Sequence, residues 1–340
     1  MNILIFFVIL LVLVLVHEAG LFFAAKKFGI RVDEFGFGFP PKLFGIKKGE
    51  TEYTFNLLPI GGFVKIFGED PNDENTNGPD RERSFVHKPK WQQAIVLVAG
   101  VVMNFALAWV LFSVGFMSGL PTSVGSEVKG QVLTDVNLVV VSVATESPAE
   151  IAGLKSGDKI ISATHSHKDF DMHLEKDVTP ESFKSFILEH KDEKIKIEYL
   201  RGKSDIVNVT YVTPVAKTAG GEAQIGIAMD QIGVSKLPVF TSFVEGMKLT
   251  LFVTKSTAVG LFGLVFDGIR GQGSLDGVTG PVGMVGIVGD AYQFGFVYLL
   301  SFAALISVNL GIINLLPFPA LDGGRLFFLL IEKIKGSAIN

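Results

Sequence analysis

Val14-Leu15-Val16-His17-Glu18-Ala19-Gly20-Leu21-Phe22-Phe23-Ala24-Ala25 sets two ionisable side chains inside an apolar run. Upstream, Ile3 to Val16 is apolar without a break, and the apolar character resumes from Leu21 to Ala25. A bilayer core takes about 20 apolar residues in a helix, so this stretch predicts a first transmembrane helix over residues 1–28. An ionisable residue at that depth costs about 2.5–3.5 kcal/mol on insertion scales, which makes His17 and Glu18 functional candidates.

Their spacing suggests a chemistry. In the helical pattern H-E-x-x-H, two histidines one turn apart bind zinc and the glutamate serves as general base. Here position 21 is Leu, so only the first half of the pattern is present. A second reading is a helix end where His17 and Glu18 meet lipid headgroups. These residues alone leave both readings open.

Composition narrows the class. The 340 residues are 48% hydrophobic, with 38 Gly and 30 Phe, as expected for a membrane protein carrying a soluble insert. A net charge of −4 without a basic block argues against nucleic acid as a partner. The absence of cysteine excludes disulfides and thiolate metal sites, leaving histidine and carboxylates as metal ligands. The first apolar run has neither the basic start nor the cleavage site of a signal peptide. Lys26, Lys27 and Arg31 follow it, which predicts an external N-terminus and a cytoplasmic segment from residue 26.

Residues 29–88 are too polar to span. Val32 to Phe39, Glu52 to Pro59 and Gly61 to Ile66 predict short strands broken by Gly and Pro turns, dense enough in Phe to lie against or dip into the membrane. A charged loop, 69–84, follows. Residues 89–120, opened by Lys90 and Trp91, predict a second span, with Asn104 expected to make a helix–helix hydrogen bond. Residues 122–215 have soluble composition. There, Ser147-Pro148-Ala149-Glu150-Ile151-Ala152-Gly153-Leu154 followed by Gly157-Asp158-Lys159-Ile160 resembles the PDZ signature. Such a domain binds peptide C-termini or extended segments by strand addition. In the same region His165, His167, Asp169, Asp171 and His173 alternate as in a strand and offer metal donors; a polar loop or edge hairpin is the plainer reading, because nothing nearby fixes a ligand geometry. Residues 236–290 are apolar but carry Glu245, Lys248 and Lys255, predicting an amphipathic helix on the outer membrane face. Residues 291–335 predict a third span broken by Pro317 and Pro319, then Asp322 and a final helix. Irregular backbone at membrane depth is tolerated only where it is buried in protein or lines a cavity.

The order of these features resembles the site-2 protease family of intramembrane zinc metalloproteases, in its bacterial PDZ-containing branch. It is carried by His17-Glu18, the Gly36-Phe37-Gly38 stretch, the PDZ signature and Asn314-Leu315-Leu316-Pro317-Phe318-Pro319-Ala320-Leu321-Asp322-Gly323. The resemblance implies a polytopic α-helical membrane protein with a membrane-associated β-hairpin and an inserted α+β PDZ domain. It further implies zinc held by His17 and Asp322, with Leu21 where the remaining ligand is missing, and Glu18 as the base. Asn314, Gly36, Phe37, Gly38, Gly61, Gly62 and Phe63 are implied to hold an unwound substrate helix. Implied partners are single-span membrane substrates of the anti-sigma-factor kind and the lipid bilayer. The implied location is the bacterial inner membrane with the PDZ outside, and a further span is implied beyond Asn340. With Leu21 in place the expectation is an impaired protease, or alternatively an inactive pseudoprotease that binds membrane peptides. A transporter with a broken helix would show an inverted repeat, and none is found between the halves.

Overall fold

In a computed structural model, residues 2–69, 77–128, 131–165, 179–202, 204–216, 221–271 and 280–336 are described. The chain forms two compact units. One comprises Met1–Ser113, Phe243–Val288 and Ser301–Asn340, the other Val114–Ser242 and Gly289–Leu300.

The first unit begins with helix α1 (Asn2–Lys27) and strands β1 (Val32–Lys48) and β2 (Thr51–Ile66). Their pairing runs through four short stretches, in keeping with the short strands expected from the sequence: 34–37 lies antiparallel to 62–65 on one side and in parallel register with 52–55 on the other, and 42–48 lies antiparallel to 51–56. The Gly and Pro positions at 38–41 and 59–61 fall at the breaks between these stretches. Gly38 and Gly61 hold φ of +76° and +95°, and a Cβ on Gly38 would lie 2.4 Å from the Leu58 carbonyl oxygen. The base of the hairpin packs on α1, with Phe22 edge-on to Phe35 at 5.5 Å between centroids. Its far end leaves Leu43, Phe44, Ile46 and Leu57 exposed, an apolar surface suited to lipid. Glu50 at the turn accepts from Lys26 Nζ and Arg83 Nη2, both at 2.5 Å. Burial works to raise the Glu50 carboxyl, but these two cations hold it below the ordinary glutamate range.

Two 3₁₀ turns, Arg81–Arg83 and Phe85–His87, lead to helix α2 (Lys90–Ser118). It meets α1 where side chains are absent: a Cβ on Gly20 would lie 2.5 Å from the Ala99 carbonyl oxygen and 2.9 Å from Gly100 Cα. Small residues at such crossings let two backbones touch.

The second unit holds a six-stranded sheet in the order β3-β10-β4-β5-β6-β7, antiparallel throughout. Its elements are β3 (Leu120–Ser123), β4 (Thr134–Val143), α3 (Pro148–Ile151), β5 (Lys159–His165), α4 (Pro180–Glu189), β6 (Ile195–Leu200), β7 (Val207–Val212), the short pair β8 (Val215–Ala216) and β9 (Ala223–Gln224), and β10 (Ile227–Ser235). The sheet extends past residue 215, because β10 pairs with β4 on one side and with β3 on the other. Local chemistry starts both helices: Ser147 Oγ accepts from Glu150 N, and Thr179 and Ser182 cap each other's backbone N–H. Phe183, Phe186, Ile187, Ile195 and Ile197 pack with Val140 in the core. His167, Asp169, Asp171 and His173 lie outside the described residues.

Asp158 is fully buried and accepts from Arg201 through two bonds of 2.7 Å and from Lys155 N at 2.8 Å. Removing one partner of such a pair strands the other and leaves an amide unmet. Asp158→Ala is expected to destabilise this unit by about 3 kcal/mol in denaturant unfolding, whereas a change under about 0.5 kcal/mol, the size of an ordinary surface substitution, would show that water replaces the pair.

The chain continues through α5 (Val239–Ile269), α6 (Pro281–Phe294), α7 (Phe296–Asn314) and α8 (Asp322–Lys335). Among the described residues, four helices are long and apolar enough to cross a membrane: Asn2–Lys27, Lys90–Ser118, Val239–Gly268 and Phe296–Asn314. The third falls within 236–290, where a surface-lying segment is expected, and its length and apolarity also suit a span. Two of its charges cancel, Lys248 bonding Glu245 at 2.7 Å, and Leu249, Val253, Ala258 and Leu261 pack against a cluster of Ala108, Phe112, Ala304 and Val308. Counting single charges along the sequence hides both facts.

Candidate metal centre

The first unit brings His17, from the middle of α1, to Asp322, the first residue of α8. His17 Nε2 lies 2.9 Å from Asp322 Oδ2, across 305 residues of sequence. The turn between α7 and α8, Leu315 to Leu321, makes this possible. It is folded so tightly that a Cβ on Gly323 would lie 2.3 Å from the Leu315 carbonyl carbon, and one on Gly324 2.1 Å from the Phe318 carbonyl oxygen. Pro317 and Pro319 stop α7, and the two glycines let α8 start against the stopped end.

His17 is fixed from behind by α2. Its ring lies against Gly100, where a Cβ would be 2.7 Å from the imidazole. Asn104, fully buried, places its amide Nδ2 at 3.2 Å from His17 Nδ1. Ser307 Oγ from α7 donates to the Asn104 carbonyl at 2.8 Å. The helix–helix hydrogen bond expected of Asn104 thus involves the candidate ligand itself. Sequence reasoning missed that role because nothing in the sequence names Asn104's partner.

Asn104 Oδ1 is buried without a hydrogen-bond partner among the described residues. The orphan has a chemical consequence. With the amide as oriented, Nδ2 donates to Nδ1 and the His17 proton sits on Nε2, facing the Asp322 carboxylate. Turning the amide over lets Oδ1 accept from Nδ1–H and leaves the Nε2 lone pair facing Asp322, the tautomer that a metal requires. The pair therefore suits a divalent ion that takes nitrogen and oxygen donors.

His17, Glu18, Leu21, Phe63, Asn314 and Asp322 all line one cavity of about 360 Å³. Glu69 and Arg325, an ion pair, line it too. Gly36, Phe37 and Gly62 stand behind this wall: Gly36 pairs with Phe63, and Phe37 with Gly62, in the hairpin. The two stretches read separately as substrate contacts are thus partners of each other. A Cβ on Gly36 would sit 2.4 Å from the Phe63 ring, and one on Gly62 2.9 Å from Leu15, so both glycines are set by packing. Gly38 and Gly61 occupy the positive-φ positions described above. Leu21 offers no donor. It is 6% exposed and packs with Ala25, Ile30, Val32 and Val64 as well as facing the cavity. The donor set is of the right kind and one ligand short of the three that catalytic zinc sites keep.

The family model for peptidase family M50 matches residues 5–340. The chain belongs to peptidase family M50. Zinc metalloprotease RasP of Bacillus licheniformis is 32% identical over 100% of this chain and 92% of its own. Zinc metalloprotease RasP of Geobacillus kaustophilus is 31% identical over 100% and 91%. A protein of Nostoc sp. is 36% identical over 100% of this chain and 88% of its own length. A solved PDZ domain of an SdrC-like protein from Listeria monocytogenes is 25% identical, covers 29% of this chain and 92% of its own, and superposes with a TM-score of 0.22. The M50 relatives are named zinc metalloproteases, so zinc is the cofactor this membership supports.

Proposed function

We propose that this M50 chain is a site-2-type intramembrane protease scaffold that holds single-span membrane segments, anti-sigma-factor-like ones among them, and cleaves them at most slowly with Leu21 in place. One observation carries the reading: His17 and Asp322 meet at 2.9 Å in a cavity that also holds Glu18 and Asn314, with His17 and Glu18 on a helix long and apolar enough to span. Zinc, when bound, supplies Lewis acidity toward water and a peptide carbonyl. The chain's own residues supply the rest. Glu18 is the base, a role worth about 10²–10⁴-fold in such reactions. Asn314 offers amide donors and an acceptor to a substrate backbone. The outer edge of the hairpin offers strand pairing to a helix that has been unwound, whose bare N–H and C=O groups cost several kcal/mol each in lipid. The placement of Lys26, Lys27, Lys88 and Lys90 supports a cytoplasmic side for the hairpin and an extracytoplasmic side for the PDZ unit of a bacterial inner-membrane protein. The PDZ unit serves as a filter for extended segments or C-termini.

A second reading, a pseudoprotease that only binds, is favoured by the embedding of Leu21 in the apolar cluster. Substrate holding is common to both readings and is tested without catalysis. A photoreactive phenylalanine derivative at Phe63, in the full chain reconstituted with a single-span peptide, is expected to cross-link the peptide, and unlabelled peptide should compete. Cross-links to lipid alone would refute the proposal.

A further inference from the structure

The second unit carries a group of metal donors remote in sequence from His17 and Asp322. His165 ends β5, His190 caps the C-terminus of α4, and Glu193 lies in the turn before β6. One donor atom from each lies within 4.8 Å of the others. His165 Nε2 and Glu193 Oε2 are 3.1 Å apart, and the two imidazole rings are 5.0 Å apart between centroids.

The arrangement has more order than a surface ion pair. His190 Nδ1 bonds the Phe186 carbonyl oxygen at 2.8 Å. A carbonyl only accepts, so Nδ1 carries the proton and Nε2 of the neutral ring presents its lone pair. A carbonyl behind a ligating imidazole is the usual device that fixes tautomer and ring orientation in metal sites. The ring is also held by Phe186, with centroids 4.3 Å apart, and both histidines are only partly exposed. Two imidazoles and one carboxylate form a three-ligand N₂O set that leaves a fourth position for water, a combination that suits zinc, copper(II) or nickel. Bond lengths of about 2.0–2.2 Å call for donor atoms closer together than 4.8 Å, within the reach of side-chain rotation by His190 and the exposed Glu193.

We propose that His165, His190 and Glu193 form a divalent transition-metal site in the PDZ unit, separate from the membrane centre. The ion ties the C-terminus of α4 to the end of β5 and the start of β6. It does not rest on the protease reading, and its failure would leave that reading intact.

Imidazole count separates the two sites, because the membrane pair contains one imidazole and this group contains two. Copper(II) added to the full chain in detergent micelles is expected to give an electron paramagnetic resonance spectrum with coupling to two imidazole nitrogens. His190→Gln should reduce that to one. Glu193→Gln, on an exposed side chain and therefore safe for folding, should weaken copper and zinc binding at least 10-fold. Zinc should raise the melting temperature of the parent and leave that of His190→Gln unmoved. A spectrum with a single nitrogen in the parent, or copper and zinc affinities unchanged in both variants, would overturn the proposal and leave the group as an ion pair beside a capped helix.

Discussion

Leu21→His is expected to raise cleavage of a transmembrane peptide well above that of the chain with Leu21. Residues 17 and 21 are one helical turn apart on one face of α1, and both line the cavity that holds Asp322. An imidazole at position 21 raises the protein donors from two to three, the number catalytic zinc sites keep. The exchange has a cost. Leu21 is buried among Ala25, Ile30 and Val32, and losing that contact forfeits about 1.5–3 kcal/mol of apolar burial. Stability should therefore fall while activity rises, opposite signs that a nonspecific effect would not produce. Glu18→Gln in the Leu21→His background should retain zinc and lose about 10²–10⁴-fold in rate, since only the base role needs the carboxylate. Cleavage of reconstituted peptide, followed by mass spectrometry, checks both. Cleavage by the chain with Leu21 in place, at the rate of the Leu21→His variant, would mean that a third ligand comes from elsewhere.

Gly323→Ala should have the second largest effect. The added methyl would start 2.3–2.4 Å from backbone atoms of Leu315 and Leu316, which cannot rotate away as a side chain would. The turn must open, and Asp322, the neighbouring residue, moves with it. Overpacking of this kind costs about 1–3 kcal/mol, and a displacement of about 1 Å in a catalytic group costs about 10²-fold in rate. In the Leu21→His background, both zinc affinity and cleavage should fall by at least that factor. Gly263→Ala is the matched control, because a Cβ there meets nothing within 4 Å and the helix gains propensity worth about 1 kcal/mol. Equal behaviour of the two variants would contradict the tight-turn account.

Much of this site is legible in sequence for one physical reason. A charged residue within an apolar run is costly, so His17, Glu18 and Asp322 announce themselves, and two prolines beside Asp322 announce a break that must line a cavity. What is not legible is whatever depends on a distant partner. Asn104 reads as generic interhelical polarity until His17 is found beside it at 3.2 Å. The short strands around the Gly and Pro breaks are legible, but their side-by-side order is not: 34–37 sits between 62–65 and 52–55, and nothing local in the sequence names either neighbour. The pairing within the helix from Val239 is hidden too, because Glu245 and Lys248 count as two charges in sequence and as one ion pair in the helix. The PDZ signature fixes α3 and β5, yet β10, which lies between β3 and β4, comes from beyond the expected boundary, since sheet neighbours need not be sequence neighbours. His190 and Glu193 join His165 for the same reason: the fold returns to the end of β5 through α4.

In the proposed function, His17 and Asp322 are two ligands of one zinc site that Leu21 leaves incomplete. Zinc per chain, measured after dialysis against a weak chelator in the His190→Gln background, tests it most directly. Substoichiometric zinc is expected with Leu21, one zinc per chain with Leu21→His, and loss of that zinc when Asp322→Asn is added. Zinc retained in the triple variant lacking the Asp322 carboxylate, or absent from the Leu21→His chain, would contradict it.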